Sequence, residues 1–247
     1  MQNISINFQV PQGWHELGDK QLRYVYQLLA SDFSADEIKT LCLLHWSDTK
    51  VIGKQPSGAY LLRKGKTLFE AKPLTIAELL PALDWLASLP NVPVRMSKIN
   101  RREALTADFS EVPFETFIIC DNLYQGYLQT QDDNLLDQLG ATLYGKSMTF
   151  KPYERINIFY WFASLKDTFS RKFSYFFQPI DAATGGNLLG SSSSSVEDAM
   201  NAQIRALTKG DVTKEAEVLA LDTHRALTEL NAQAREYKEL NAKTASK

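Results

Sequence analysis

A chain of 247 residues with 44% hydrophobic and 23% charged residues is long enough and apolar enough to bury a sizeable core, which excludes wholesale disorder. A net charge of −2 and a pI near 6.0 lack the basic excess of a nucleic-acid binder. The longest apolar run, residues 156–165, contains Asn157 and Ser164 and stops at Lys166 and Asp167, well short of the roughly 20 residues that span a bilayer.

The start, MQNISINFQV, has no basic residue ahead of an apolar run, so no signal peptide is expected. Residues 4–10 alternate apolar and polar side chains and predict a short strand, closed by Pro11 and Gly13. Asp19 is expected to cap a helix over 20–30 with Leu22, Val25 and Leu29 on one stripe. Ser34 and Glu37 have the spacing of a capping box, flanked by Phe33 and Ile38 as a hydrophobic staple, and predict a central helix to Trp46. Turn residues at Gly53, Pro56, Gly58 and Gly65 bracket 59–63 and 67–71, the two arms of a small β-hairpin. Thr75 and Glu78 form a second capping-box pattern, for a helix to Leu89 bent at Pro81. Residues 96–110 read as an extended connection. Helices are expected over 114–128, over 132–144 with Gly145 as its stop, and over 152–177. The last of these carries Ile158, Phe162, Leu165, Phe169, Phe173 and Phe176 on one stripe. Cys42 and Cys120 lie in apolar helical patterns and are expected as buried free thiols, in keeping with a reducing cytoplasm.

Residues 179–195 break this pattern with Gly185, Gly186, Gly190 and five consecutive serines, the composition of a flexible linker. Two helices are expected beyond it, 195–208 and 213–243. The longer one has a narrow stripe of Ala216, Leu219, Thr223, Leu227, Leu230, Ala234 and Tyr237. The fold class predicted is therefore mainly α: a helical core domain with a small β-hairpin (1–178), a Gly/Ser-rich linker (179–195) and a C-terminal helical hairpin or arm (196–247). A narrow stripe on a tethered helix has three outlets: it folds back on the core, it self-associates, or it receives a partner helix.

No catalytic, cofactor-binding or metal-binding set emerges. His15, His45 and His224 fall in separate elements without ligand spacing. The tract 184–191 lacks the lysine of a phosphate loop and follows no strand. Acidic pairs such as Asp132–Asp133 and Glu197–Asp198 sit in helix first turns, where they complement the helix dipole. Eleven aromatics over 150–177, with Lys166, Arg171 and Lys172 among them, allow a stacking platform for single-stranded nucleic acid, but their helical spacing favours a core or interface helix. A membrane surface is not an expected partner.

Four segments carry a family likeness: WHELGDKQLRYVYQLLAS (from Trp14), CDNLYQGYLQT (from Cys120), IFYWFASLKDTFSRKFSYFF (from Ile158) and ALTKGDVTKEAEVLALDTHRALTELNAQAREYKELNAK (from Ala206). Through them the chain resembles tail assembly proteins, of the tail assembly chaperone type, from tailed phages and prophages of Bacteroides-like bacteria. The resemblance implies a non-enzymatic factor in the bacterial host cytoplasm that binds a helical partner such as a tape-measure protein. A structural virion component and a nucleic-acid-associated regulator are the alternatives. The residues expected to meet a protein partner are Leu219, Leu227, Leu230 and Tyr237, with Ile158, Phe162 and Phe169 as core or groove.

Overall fold

The computed structural model describes residues 8–146, 149–177, 202 and 204–245, and its architecture is mainly α with a small antiparallel sheet. The strand expected at 4–10 falls largely outside these residues, and residues 8–10 are not extended into a sheet. The linker expected at 179–195 lies wholly outside them, as does most of the helix expected at 195–208, of which 204–208 are helical.

Helix α1 (Asp19–Leu29) starts one residue earlier than expected, with Gly18 as its N-cap. Asp19 is thereby free to make a longer-range contact. Its carboxylate accepts the Ser97 backbone N–H at 2.9 and 3.0 Å and the Ser97 hydroxyl at 2.6 Å. Helix α2 (Ala35–Trp46) opens on the expected capping box, with the Glu37 N–H reaching Ser34 Oγ at 3.3 Å and the Ser34 N–H reaching Glu37 Oε2 at 2.8 Å. The second capping-box pattern is not used. Pro73, already fixed at a helical φ, takes the first-turn position of a short helix, α3 (Pro73–Ala77). The chain then tightens into a 3₁₀ segment, Leu80–Ala87, because Pro81 has no N–H to continue the ladder.

The hairpin is one strand larger than its pattern predicts. Strands β1 (Thr49–Lys54), β2 (Tyr60–Lys64) and β3 (Thr67–Ala71) form an antiparallel meander with Val51, Leu62 and Phe69 in one row. A bulge interrupts the register between Val51 and Gly53. The connection after Pro93 also gains structure. β4 (Lys98–Ile99) and β5 (Arg102–Glu103) pair through Asn100 and Arg101, both at positive φ (48° and 66°), the conformation that a two-residue hairpin turn demands.

Helices α4 (Phe114–Thr130), α5 (Asp133–Leu143) and α6 (Pro152–Lys172) follow, then a final short turn, α7 (Ser174–Phe177). Asp132 caps α5 by accepting the Asn134 N–H at 2.9 Å, and Gly145 adopts the left-handed φ of 67° that stops it. Helix α6 is the axis of the core and packs against α1 and α5. Ile158, Trp161, Phe162, Leu165 and Phe169 on it are fully buried. The α5–α6 approach is so close that a Cβ on Gly140 would collide with the Ile158 side chain and stand 2.6 Å from the Phe150 ring. Asn157 supplies the polar pin of this interior. Its Oδ1 accepts the Met96 N–H at 2.8 Å and its Nδ2 donates to Tyr144 Oη at 2.9 Å, while the Tyr144 hydroxyl donates to the Met96 carbonyl at 2.8 Å. Three buried polar groups are thus satisfied among themselves, as a dry interior requires.

The C-terminal segment does not hang free. The helix expected at 213–243 is broken into α8 (Glu215–Leu219) and α9 (Thr223–Ala245), and the break has a cause. Residues 221–223 are stitched to the start of α4: Phe114 N–H donates to Leu221 O at 2.8 Å, Thr223 N–H to Val112 O at 2.9 Å, and Glu111 N–H to Asp222 Oδ2 at 2.8 Å. Ile204, Val218, Ala226, Leu227 and Leu230 join the same buried cluster as α6.

Cys42 and Cys120 are free and buried. Burial pushes the Cys42 thiol up to about 12, and burial together with the Asp121 carboxylate raises Cys120 as well. Neither forms the nucleophilic thiolate near neutrality. A disulfide reagent added to the native chain is therefore expected to leave both unmodified, and to titrate both in denaturant. Rapid modification of either thiol in the native chain contradicts the packing around it.

Candidate partner-binding surface

The residues expected to meet a partner divide into two groups. Ile158, Phe162 and Phe169 are core and not groove: all three are fully buried, with Phe162 ringed by Phe109, Phe117 and Tyr124 at centroid distances of 6.1, 6.3 and 5.3 Å. Leu227 and Leu230 are also interior, which corrects the expectation that they are offered to a partner. The stitching of 221–223 to 111–114 lays the first half of α9 on the body, so their side chains complete its core. Leu219 is half-buried against the same cluster.

Tyr237 is different. The docking of α9 runs as far as Asn231, whose Oδ1 accepts the backbone N–H groups of Tyr175 at 2.9 Å and Phe176 at 3.1 Å, capping α7. Beyond it, Lys238 lies 5.9 Å over the Tyr175 ring. Residues 235–244 are each exposed, a projecting end of about 15 Å at 1.5 Å per residue that keeps contacts such as that of Lys238 with Tyr175. On it, Tyr237 is 66% exposed and Leu240 62% exposed. Tyr237 follows Leu230 by seven residues and Leu240 follows Tyr237 by three, so both lie on the stripe that is buried lower down the helix. Leu240 is absent from the residues expected to meet a partner, although the same spacing, carried one step past Tyr237, reaches it.

His224 sits at the foot of α9, its Nε2 2.7 Å from Asp108 O and its Nδ1 3.1 Å from Lys172 Nζ. The carbonyl needs a donor, so Nε2 carries the hydrogen and Nδ1 accepts from the ammonium. His45 stacks on Tyr24 at 3.9 Å. Among the described residues no group of three His, Cys, Asp or Glu side chains is placed to hold a metal ion. A half-open groove of about 210 Å³ between α5 and α6 is lined by Tyr127, Leu136, Ile156 and Phe159, with Asp133 and Arg155 at its edge. Those charges are tied to each other: Arg155 donates to both oxygens of Asp137, at 2.8 and 2.7 Å, and to Asp133 at 2.7 Å. These hydrogen bonds hold the Asp137 carboxyl below its ordinary value.

The basic–aromatic stretch of α6 and α7 is equally committed. Trp161, Phe162, Phe169 and Phe173 are buried, Lys166 pairs with Asp121 at 2.7 Å, and Arg171 with Asp167 at 2.9 Å. Most of the stacking faces that a nucleic-acid platform requires are turned into the core, and of these aromatics Tyr175 stays exposed. No protein-family model matches the chain, and no curated protein or solved structure is significantly similar to it.

Proposed function

We propose that the chain is a non-enzymatic assembly factor that binds a helical protein through the projecting end of α9, as a tail assembly chaperone binds a tape-measure protein. One observation carries the reading: the apolar stripe of α9 is buried through Leu230 and continues, uncovered, through Tyr237 and Leu240. A partner helix laid against this end prolongs the packing that the body provides for the lower half. An exposed aromatic and a leucine one turn apart are the anchors that helix-in-groove and helix-pair recognition use.

The test is a titration of the full chain against a helical tape-measure fragment. Tyr237→Ala with Leu240→Ala is expected to weaken Kd at least tenfold, since truncating interface anchors typically costs about 1–2 kcal/mol each, with no change in Tm. An unchanged Kd removes the projecting end from the interface. Sedimentation of the chain alone adds a second readout: a dimer that the same substitutions convert to a monomer makes the partner a second copy. Mass spectrometry of purified particles separates a chaperone, which is absent from them, from a virion component.

A further inference from the structure

Charge is unevenly divided along this chain. Residues 49–72 hold six basic side chains (Lys50, Lys54, Arg63, Lys64, Lys66 and Lys72) against one acidic, Glu70. That segment carries +5 in a chain whose total is −2, so the other 223 residues carry −7. The segment is the β1–β2–β3 meander. Directly paired residues point to the same face of a sheet, and the face holding Tyr60, Leu62, Phe69 and Ala71 turns inward, with Leu62 fully buried. The opposite face presents the row Lys50, Arg63 and Leu68 to solvent, with Leu61 and the segment's one acid, Glu70, in the next row.

β1 is an edge strand, with β2 as its one strand neighbour among the described residues. Lys50, Val51, Ile52 and Lys54 on it are all exposed: Lys50 belongs to the solvent face, Val51 and Lys54 stand at the outer edge of the Leu62–Tyr60 face, and Ile52 is the bulged residue between them, so the rim itself carries two lysines and two aliphatic side chains. Leu68 and Leu74 add further exposed aliphatic surface, at 54% and 69%. Among the described residues no ion pair engages Lys50, Arg63, Lys66 or Lys72.

Lysines and a bulge on an edge strand guard against pairing with a stray strand. That accounts for Lys50 and Lys54 but not for Arg63, which lies on the central strand directly opposite Lys50. Like charges in register cost stability, and an anionic partner removes the cost. Five of the six cations are lysine, a residue depleted in protein interfaces. Single-stranded nucleic acid calls for exposed aromatic rings between the cations, and here the exposed side chains are aliphatic. Aliphatic side chains flanked by lysines match the boundary between acyl chains and anionic headgroups.

We infer that the β1 rim and solvent face of this sheet dock on an anionic lipid bilayer. The attachment is peripheral: no described helix is long and apolar enough to cross a membrane. The −7 remainder is repelled by the same surface, so the sheet meets it first.

The full chain is sedimented with vesicles of phosphatidylcholine alone and of phosphatidylcholine with phosphatidylserine, at low and high salt. Binding to the anionic vesicles only, weakened by salt, is expected. Lys50→Gln with Lys54→Gln and Arg63→Gln should lower the partition coefficient about a hundredfold, at about fivefold per cation. Val51→Ser with Ile52→Ser should lower it about tenfold while keeping every charge. All five side chains are exposed, so the variants should keep the wild-type Tm. Failure to bind anionic vesicles, equal binding to neutral ones, or indifference to both sets of substitutions overturns the inference. Salt-sensitive capture of an oligonucleotide that the triple variant loses, with no vesicle binding, overturns it in favour of nucleic acid.

Discussion

Leu227→Ala is expected to lower Tm by about 5–15 °C, whereas Tyr237→Ala, ten residues along the same helix, leaves it unchanged. Both side chains lie on one apolar stripe, but Leu227 is wholly enclosed and Tyr237 is 66% exposed. Truncating an enclosed leucine costs about 2–5 kcal/mol, the transfer energy of the lost carbons plus the cavity left in the buried cluster that Leu227 belongs to. A rim tyrosine that is mostly exposed in the free chain has little to lose. Thermal melts of the two variants decide between a C-terminal helix that belongs to the body and one that is only tethered to it. Equal, small shifts for both contradict the docking of α9. The same reasoning bears on truncation. Removal of everything after residue 194 uncovers Val112 and Phe114, takes away Val218 and Leu227, and cuts the backbone bonds between 111–114 and 221–223. The remainder is expected to be destabilised or insoluble, so binding studies call for point variants on the projecting end.

That distinction between the two halves of α9 marks where sequence patterning stops. A stripe of Leu219, Leu227, Leu230 and Tyr237 says which face of a helix is apolar; it does not say what covers that face. The covering surface comes from residues 111–114, next to a stretch that reads as an extended connection, and the backbone bonds that fix it are invisible to hydrophobic periodicity. Local signals fare better where the physics is local. The Ser34–Glu37 box, the Gly145 stop and the α6 stripe all place helix ends and faces as their chemistry predicts, whereas Asp132, read as a first-turn acid, proves to be the N-cap. The Thr75–Glu78 box shows how such a signal is overruled: Pro73 two residues upstream competes for the same first turn and wins. β1 is illegible in the sequence because Thr49–Lys54 holds two lysines and a glycine, and it becomes a strand by pairing with β2. The basic sheet is hidden for a different reason. A net charge of −2 is a sum over the chain, and a sum conceals a separation of +5 from −7.

Lys166→Met is expected to cost about 3 kcal/mol, and the double replacement Lys166→Met with Asp121→Asn much less. Lys166 on α6 and Asp121 on α4 meet at 2.7 Å with side chains only 14% and 13% exposed. The ammonium also stands 4.9 Å over the Phe177 ring and 5.8 Å over Phe117, so its stem and head fill an aromatic-walled space between the helices. Desolvating two charges offsets most of their attraction, and the intact pair contributes little net stability. Removing the lysine alone is another matter: Asp121 keeps its charge, loses its counter-ion, and already adds to the effect of burial in raising the neighbouring Cys120 and Tyr124. Neutralising Asp121 in the same chain removes that stranded charge. Methionine, unbranched and of similar length, preserves the packing against Phe117 and Phe177. Urea unfolding of the wild type, the two single variants and the double variant gives the coupling energy directly. Additive effects make the pair a surface contact without influence on the α4–α6 junction. Strong coupling makes it the electrostatic latch of the junction, on the same pair of helices that hold the stitched foot of α9 in place.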